Sequence, residues 1–457
     1  MVTMRSLLAK HISLSIITFV GVLLISETIC VGEDWPQWMG VQRDNIWREA
    51  NIIDSFPESG VNILWRHPIG GGYAGPAVAN GRVYLSDFLS ETASQENANQ
   101  RRNSRGKERT LCLDEDSGKL LWEHSYPVTY SISYPAGPRC TPNVDEDRVY
   151  TLGAQGDLRC LDAVTGQLTW TRNLPVDYST KPAIWGYAGH PLVVGDNLIC
   201  IAGGIGSLVV AFNKFTGEET WKSLSSSGQG YAPPVLIHAA GTPQLIILHP
   251  DGMSSLNPSS GKEYWTVDYE ASNGSVIMSP IRSGNYMYAA GYTKKNLMVK
   301  LADSQPGAKM LWRDVANSAI SPVNVQPFMD DDLLYGFHQD GTLYGVNFKT
   351  GERLWSSLAP LQSKRPLRTG TAFIIKQADR YWLFTEQGDL VIANMDKRGY
   401  QELDRTHVIE PTDVAFGRKV VWAAPAFANQ KIFLRNGKEC ICVDAKKIIK
   451  VPHPSPN

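Results

Sequence analysis

The chain has 457 residues and a formal net charge of −1, so no long-range electrostatic attraction draws it to nucleic acid or an anionic lipid surface. An apolar fraction of 43% with 13 tryptophans can fill a large core, and 40 glycines and 27 prolines punctuate many short strands. Length alone suggests about three domains, but an internal repeat overrides that reading.

Residues 1–32 read as an export signal. Arg5 and Lys10 give a positive n-region and Ile12–Ile25 an apolar h-region; Cys30 and Gly32 place small residues at −3 and −1 of a cut before Glu33. The apolar run is shorter than the ~20 residues of a spanning helix. The expectation is cleavage near Gly32, a periplasmic or secreted protein with no transmembrane segment in the mature chain, and a monomer. A lipid anchor on Cys30 is disfavoured, because Glu27 and Ile29 stand where such a signal wants an aliphatic and a small residue.

Residues 33–61 form a lead-in that begins Asp34-Trp-Pro-Gln-Trp-Met-Gly40. Trp35 and Trp38 are expected to strap it across the surface of the domain that follows, rather than to form an aromatic binding platform. From 62 to 450 the chain repeats itself. Leu158–Trp170 reads as strand, Thr-Gly turn and second strand ending in tryptophan, and versions recur at Leu111–Trp122, Val209–Trp221, Ser254–Trp265, Lys300–Trp312, Gly345–Trp355 and Ile392–Leu403. The tryptophan-to-tryptophan steps are 48, 51, 44, 47 and 43 residues, a period that indicates four-stranded blades. Eight segments open alike, near Gly75, Pro142, Pro191, Pro234, Pro280, Pro322, Thr371 and Pro425. The last one lacks a tryptophan strand, while Asn62–Pro68, with Trp65, has no blade of its own. The expected fold is therefore all-β: an eight-bladed β-propeller of four-stranded antiparallel blades, the ring closed by the N-terminal strand joining the C-terminal blade. Residues 451–457 are a tail.

The repeat's residues have structural reasons. The turn glycines (Gly118, Gly166, Gly217, Gly261, Gly351) supply positive φ, and Asp114, Asp162, Asn213, Asn257 and Asn347 can bond the turn amides. Six cysteines follow the leader, and Cys112, Cys160 and Cys442 share a repeat position that Ala211, Ser255 and Gly345 occupy elsewhere. They read as buried free thiols rather than disulfides. The basic run Arg101–Arg109, within the polar insert 87–110, reads as a solvated loop rather than a phosphate patch.

At Leu158–Trp170 and Val209–Trp221 the chain resembles the pyrroloquinoline-quinone-like (PQQ-like) repeat family, with its signature Ala-x-Asp-x-x-Thr-Gly-x-x-x-Trp. The resemblance covers nearly all of the chain after the leader. It departs at Lys309–Trp312, where a residue is inserted after Gly307, and at Leu403, where the tryptophan is missing. The family resemblance implies one of two roles. The first is a non-enzymatic propeller like the outer-membrane assembly component of the barrel-insertion machinery, needing no cofactor and binding a protein or polysaccharide partner in the cell envelope. The second is a quinoprotein dehydrogenase of alcohols or sugars, with PQQ and calcium in a central funnel. This sequence has no adjacent cysteine pair and no recognisable metal-ligand set, so the binding or scaffolding role is favoured. No catalytic, cofactor-binding or metal residue is assigned.

Segments joining each tryptophan strand to the next blade should line the funnel mouth. They offer Tyr73, Tyr134, Arg139, Tyr187, His190, Tyr231, Arg368 and Trp422 as candidate binding residues, since Tyr, Trp and Arg dominate binding hot spots. The competing explanation, repeat-derived packing at blade junctions, weighs more heavily, because one face of any propeller must be lined by something.

Overall fold

Every Thr-Gly or Ser-Gly corner is built in one way. Asp162 accepts from the amide of Thr165 at 2.7 Å, and Asn213, Asn257 and Asn347 do the same for Thr216, Ser260 and Thr350 at 3.0–3.1 Å. Gly118, Gly166, Gly217, Gly261 and Gly351 sit at φ of +66 to +73°. These corners join the third and fourth strands of successive antiparallel sheets in a computed structural model of the chain, which describes residues 32–91, 100–314 and 318–447. The leader up to Val31, including Cys30, and the tail from 448 onward, including 451–457, lie outside the described residues.

The described residues form an eight-bladed propeller. Seven blades use consecutive strands; blade 2, for example, is Asn143–Asp145, Arg148–Leu152, Asp157–Asp162 and Leu168–Asn173, from the inside outward. Blade 8 is composite. Its inner strands Ala426–Ala428, Lys431–Arg435 and Glu439–Asp444 take their outer strand from Ile63–Pro68, with Trp65 opposite Cys442. Ring closure by the N-terminal strand is as the orphan tryptophan strand required. Among the described residues, helix is confined to Leu174–Asp177 and two 3-10 turns.

Adjacent blades are stitched by the repeat tryptophans. The rings of Trp65, Trp122, Trp170, Trp221 and Trp312 lie on the next blade's turn glycine: a Cβ on Gly118 would meet the Trp65 ring at 2.5 Å, and one on Gly217 the Trp170 ring at 2.6 Å. Each indole N–H donates to a carbonyl beside that turn: Trp65 to Glu115 (2.8 Å), Trp122 to Ala163 (3.1 Å), Trp170 to Lys214 (3.0 Å), Trp221 to Pro258 (3.2 Å) and Trp355 to Asp396 (2.7 Å). The glycines are thus demanded twice, by positive φ and by the ring above. The stitch fails between blades 4 and 5. Trp265 donates instead to Gln244 Oε1 of its own blade at 2.9 Å, facing the blade 5 corner that carries the inserted residue. The six cysteines are buried and free.

Two features differ from the sequence reading. The insert 87–110 is mostly strand rather than loop: blade 1 has strands Arg82–Ser90, Arg102–Asp114 and Leu120–Ile132, far longer than their counterparts. Arg109 in that run is neutralised by Asp87 and Glu123. The lead-in, moreover, does not strap the outer surface. Trp35 bridges Val78 on the innermost strand of blade 1, the Val144 amide of blade 2 donates to Pro36, and Ile46–Trp47 pairs in parallel with Lys376–Gln377 of blade 7. Trp47 is 1% exposed, edge-on to Trp382 and Phe427 at 5.7 and 4.9 Å. Segment 34–49 therefore enters the central bore and returns. The inner strands of the eight blades leave a hole there, and the lead-in occupies it with Trp35 and Trp47 buried at 3% and 1% exposure.

Candidate functional site

The strand directions decide which end of the bore is open. Inner strands run from the blade-to-blade connections towards the hairpin turns, such as Asn80-Gly81 of blade 1. The lead-in starts at that turn end, where the Asn80 amide donates to Asp34 at 3.1 Å. It leaves at the same end, where Glu49 accepts from the Asn429 amide at 2.6 Å. Its tip, around Trp38, Met39 and Asn45, floors a blind pocket that opens on the connection face. The cavity is about 250 Å³ and its walls come from the connections of all eight blades.

Six of the eight residues singled out in the sequence line this pocket: Tyr73, Tyr134, Arg139, His190, Tyr231 and Trp422. Arg368 is exposed on the rim, its guanidinium 4.7 Å over Phe416. Tyr187 is 1% exposed in the blade 2–blade 3 core, where its hydroxyl donates to Ala202 O at 3.0 Å. It is the repeat-derived packing tyrosine that the competing explanation describes.

The mouth is ringed by aromatic side chains. Trp422 stands 6.3 Å from Tyr73, 5.8 Å from Tyr134 and 6.3 Å from Phe416, with interplanar angles of 43°, 54° and 54°. Phe416 caps a small extra hairpin, Asp413–Ala415 and Arg418–Val420, inserted between blades 7 and 8. A two-pronged contact from Arg418 to the buried Glu386, at 2.7 and 3.0 Å, clamps the hairpin to the ring, and Glu386 also accepts from the Trp422 indole at 3.3 Å. Deeper, Trp38 stacks on His190 (4.6 Å, 19°) and Trp185 faces Tyr231 at 5.1 Å.

Arg139 is the one charged residue among those lining the pocket, and no aspartate or glutamate lines it. Its guanidinium lies 5.2 Å over Tyr73 and donates to the carbonyls of Ser133 (2.9 Å), Tyr134 (2.6 Å) and Gly137. Burial lowers its pKa, as it does that of Arg43, which holds the floor to the wall through Pro191 O at 3.0 Å. His190 is kept neutral, its pKa held well below the usual imidazole value by burial and by the Arg43 charge. Three buried polar atoms in the lining have no partner: Thr141 Oγ1, His190 Nδ1 and Asn324 Oδ1.

Sequence reasoning missed Trp38, Trp185 and Phe416 as pocket residues. Trp38 carried a signal, its place in Trp35-Pro-Gln-Trp38, but its position in the bore depends on contacts more than 100 residues away, such as Gln37 with Asn143. Phe416 sits at a Phe-Gly corner flanked by alternating residues, a hairpin signal hidden by the search for full repeats.

A family model described as "Outer membrane protein assembly factor BamB" matches residues 106–319 and again 251–448, well over half of the chain. None of the curated proteins matches the sequence. Among solved structures, BamB from Moraxella catarrhalis is similar at TM-score 0.54 and 15% identity, covering 86% of this chain and 99% of its own. A quinohemoprotein alcohol dehydrogenase from Comamonas testosteroni reaches TM-score 0.58 at 13% identity, covering 93% of this chain and 82% of its own. Another from Pseudomonas putida HK5 reaches 0.57 at 12%, with the same coverage. At such identities the structural likeness concerns the fold.

Proposed function

This chain belongs to the family described as outer membrane protein assembly factor BamB, and from that premise we propose that it is a binding or scaffolding propeller of the cell envelope. It holds a protein or polysaccharide partner at the connection face, in and around the pocket mouth. The observation that carries this reading is the blind pocket: half-buried rings from separate blades converge on one opening, over a floor supplied by the chain's own lead-in. Rings that are rigid, large and partly wet are what recognition sites use, because they offer area at little entropic cost. No helix among the described residues is long and apolar enough to cross a membrane.

The quinoprotein alternative asks for calcium beside the quinone. Calcium takes six to eight oxygen ligands, carboxylates prominent among them. The pocket lining offers no carboxylate, and no group of three His, Cys, Asp or Glu among the described residues is placed to hold a metal. The residues present do not fit that pair, and no redox step is assigned to them.

The test is site-specific photo-crosslinking in envelope extract, with the reactive residue at Arg368 on the mouth or at Gly195 on the opposite face. A partner captured from position 368 and not from 195 is expected. Capture from 195 alone would place the interface on the wrong face. A cofactor absorbance band with alcohol-dependent dye reduction, after adding quinone and calcium, would reinstate the dehydrogenase.

A further inference from the structure

We infer that the ligand of the pocket is an acidic sugar, a pyranose-type ring bearing a carboxylate, taken free or as the end of a polysaccharide. The inference rests on the pocket being a binding site and adds what it selects.

The charge comes first. A half-buried guanidinium held by three carbonyls and the Tyr73 ring face is an incompletely compensated cation, and such a group gains most from an anion brought to it. The three carbonyl bonds of Arg139 occupy three of its five N–H donors, leaving two for a ligand. The acids that face it from behind the wall do not cancel it well. Glu108 is buried and engaged by the Tyr126 and Tyr130 hydroxyls and the Ala154 amide, and burial raises its pKa. Asp413 acts on Tyr73 and is answered by Arg435 rather than by Arg139. Arg368 adds a second cation at the rim.

Shape comes second. A flat aromatic acid binds best between parallel ring faces, but the mouth rings stand at 43–55° to one another. Tilted walls suit a puckered ring, whose C–H faces pack on aromatic surfaces while its hydroxyls point sideways. A ring of hydroxyls also supplies donors and acceptors to the polar side chains of the lining, Thr141, His190 and Asn324, although Thr141 Oγ1, His190 Nδ1 and Asn324 Oδ1 are themselves sealed from water. A cavity of about 250 Å³ lies just under the usual size for drug-like ligands, enough for a small sugar or a chain end.

The experiment titrates the full chain with galacturonate, its methyl ester, glucose, a galacturonate trimer, an acidic peptide and a planar aromatic carboxylate. It reads tryptophan fluorescence and calorimetry. The acid should bind at least about tenfold tighter than its ester, the return from one charge-assisted contact. Arg139→Gln should cut affinity for the acid about ten- to a hundred-fold and affinity for glucose by clearly less. Arg139 also braces its own loop, so the acid–ester comparison on the unaltered chain carries the charge test independently of the variant. A trimer tighter than the monomer identifies a polysaccharide end as the source, and equal affinities a free sugar. Equal binding of acid and ester, no binding of any sugar, or tighter binding of the peptide or the aromatic acid would overturn the inference. If crosslinking at 368 still captures a partner, only the ligand class falls; if both fail, the binding reading falls with it.

Discussion

Replacing Trp65 with alanine should unlatch the ring at its seam. The indole is 7% exposed, lies on Gly118 of blade 1, donates to Glu115 O at 2.8 Å and faces Phe433 of blade 8 at 6.0 Å. A buried tryptophan removes ~150–250 Å² from water, worth roughly 4–6 kcal/mol at ~25 cal/mol/Å²; measured truncations cluster at about 3–5 kcal/mol. Trp170 makes the same contacts inside the ring, with Gly217, Lys214 O at 3.0 Å and Tyr150 at 6.1 Å. The two variants should therefore lose similar equilibrium stability. They differ in where the loss appears. The strand carrying Trp65 is covalently joined to the lead-in and not to blade 8, so blade 8 relies on non-covalent pairing with it. By hydrogen exchange, amides of Ile63–Pro68 and Glu439–Asp444 should exchange roughly a hundred- to a thousand-fold faster in Trp65→Ala, since every ~1.4 kcal/mol is tenfold. Trp170→Ala should leave them protected. Unchanged protection of Glu439–Asp444 in Trp65→Ala would refute closure by this strand.

Trp47→Ala should cost about 3–5 kcal/mol in urea denaturation, and Trp38→Ala, in the half-open pocket floor, clearly less; equal small losses would show that the lead-in is not packed in the bore. Gly345→Ala drives a methyl into the Trp355 ring and should cost about 1–3 kcal/mol by thermal melting, with a neutral result refuting the tight fit. Asp413 has a folded pKa raised from 3.8 to about 6, so the fold favours its protonated form. That contribution is complete below pH ~4 and is lost as pH rises through 6, roughly 3 kcal/mol in all. Asp413→Asn should accordingly melt higher than the parent at pH 7.5 and alike at pH 4, and no difference at pH 7.5 would contradict its burial. The six thiols, with Cys112 and Cys160 pushed up to about 12 by burial, should resist a thiol reagent in the native protein and react after denaturation, and reductant should not shift the melting temperature.

What the amino-acid order determined by itself is everything with a short-range cause. Asp or Asn before Thr-Gly builds the corner from neighbouring atoms, and a tryptophan at a steady interval marks the outer strand of each blade. An orphan tryptophan strand at one end and a missing one at the other announce closure. The inserted residue after Gly307 was legible too, but not that the broken contact would be that of Trp265 in the preceding blade. Six of the eight residues picked from the blade-to-blade connections line the pocket, because topology puts every such connection on one face. The tertiary structure decided the rest. Tyr187 and Tyr231 open the same Gly-Tyr-Ala motif, yet one is locked in a blade core by Ala202 and the other faces the cavity. Trp35 and Trp38 read as surface straps until the bore exists for the lead-in to fill. Whether a ring is wall, floor or core depends on the hole left when eight sheets meet, and that hole is a property of the closed ring rather than of any one repeat.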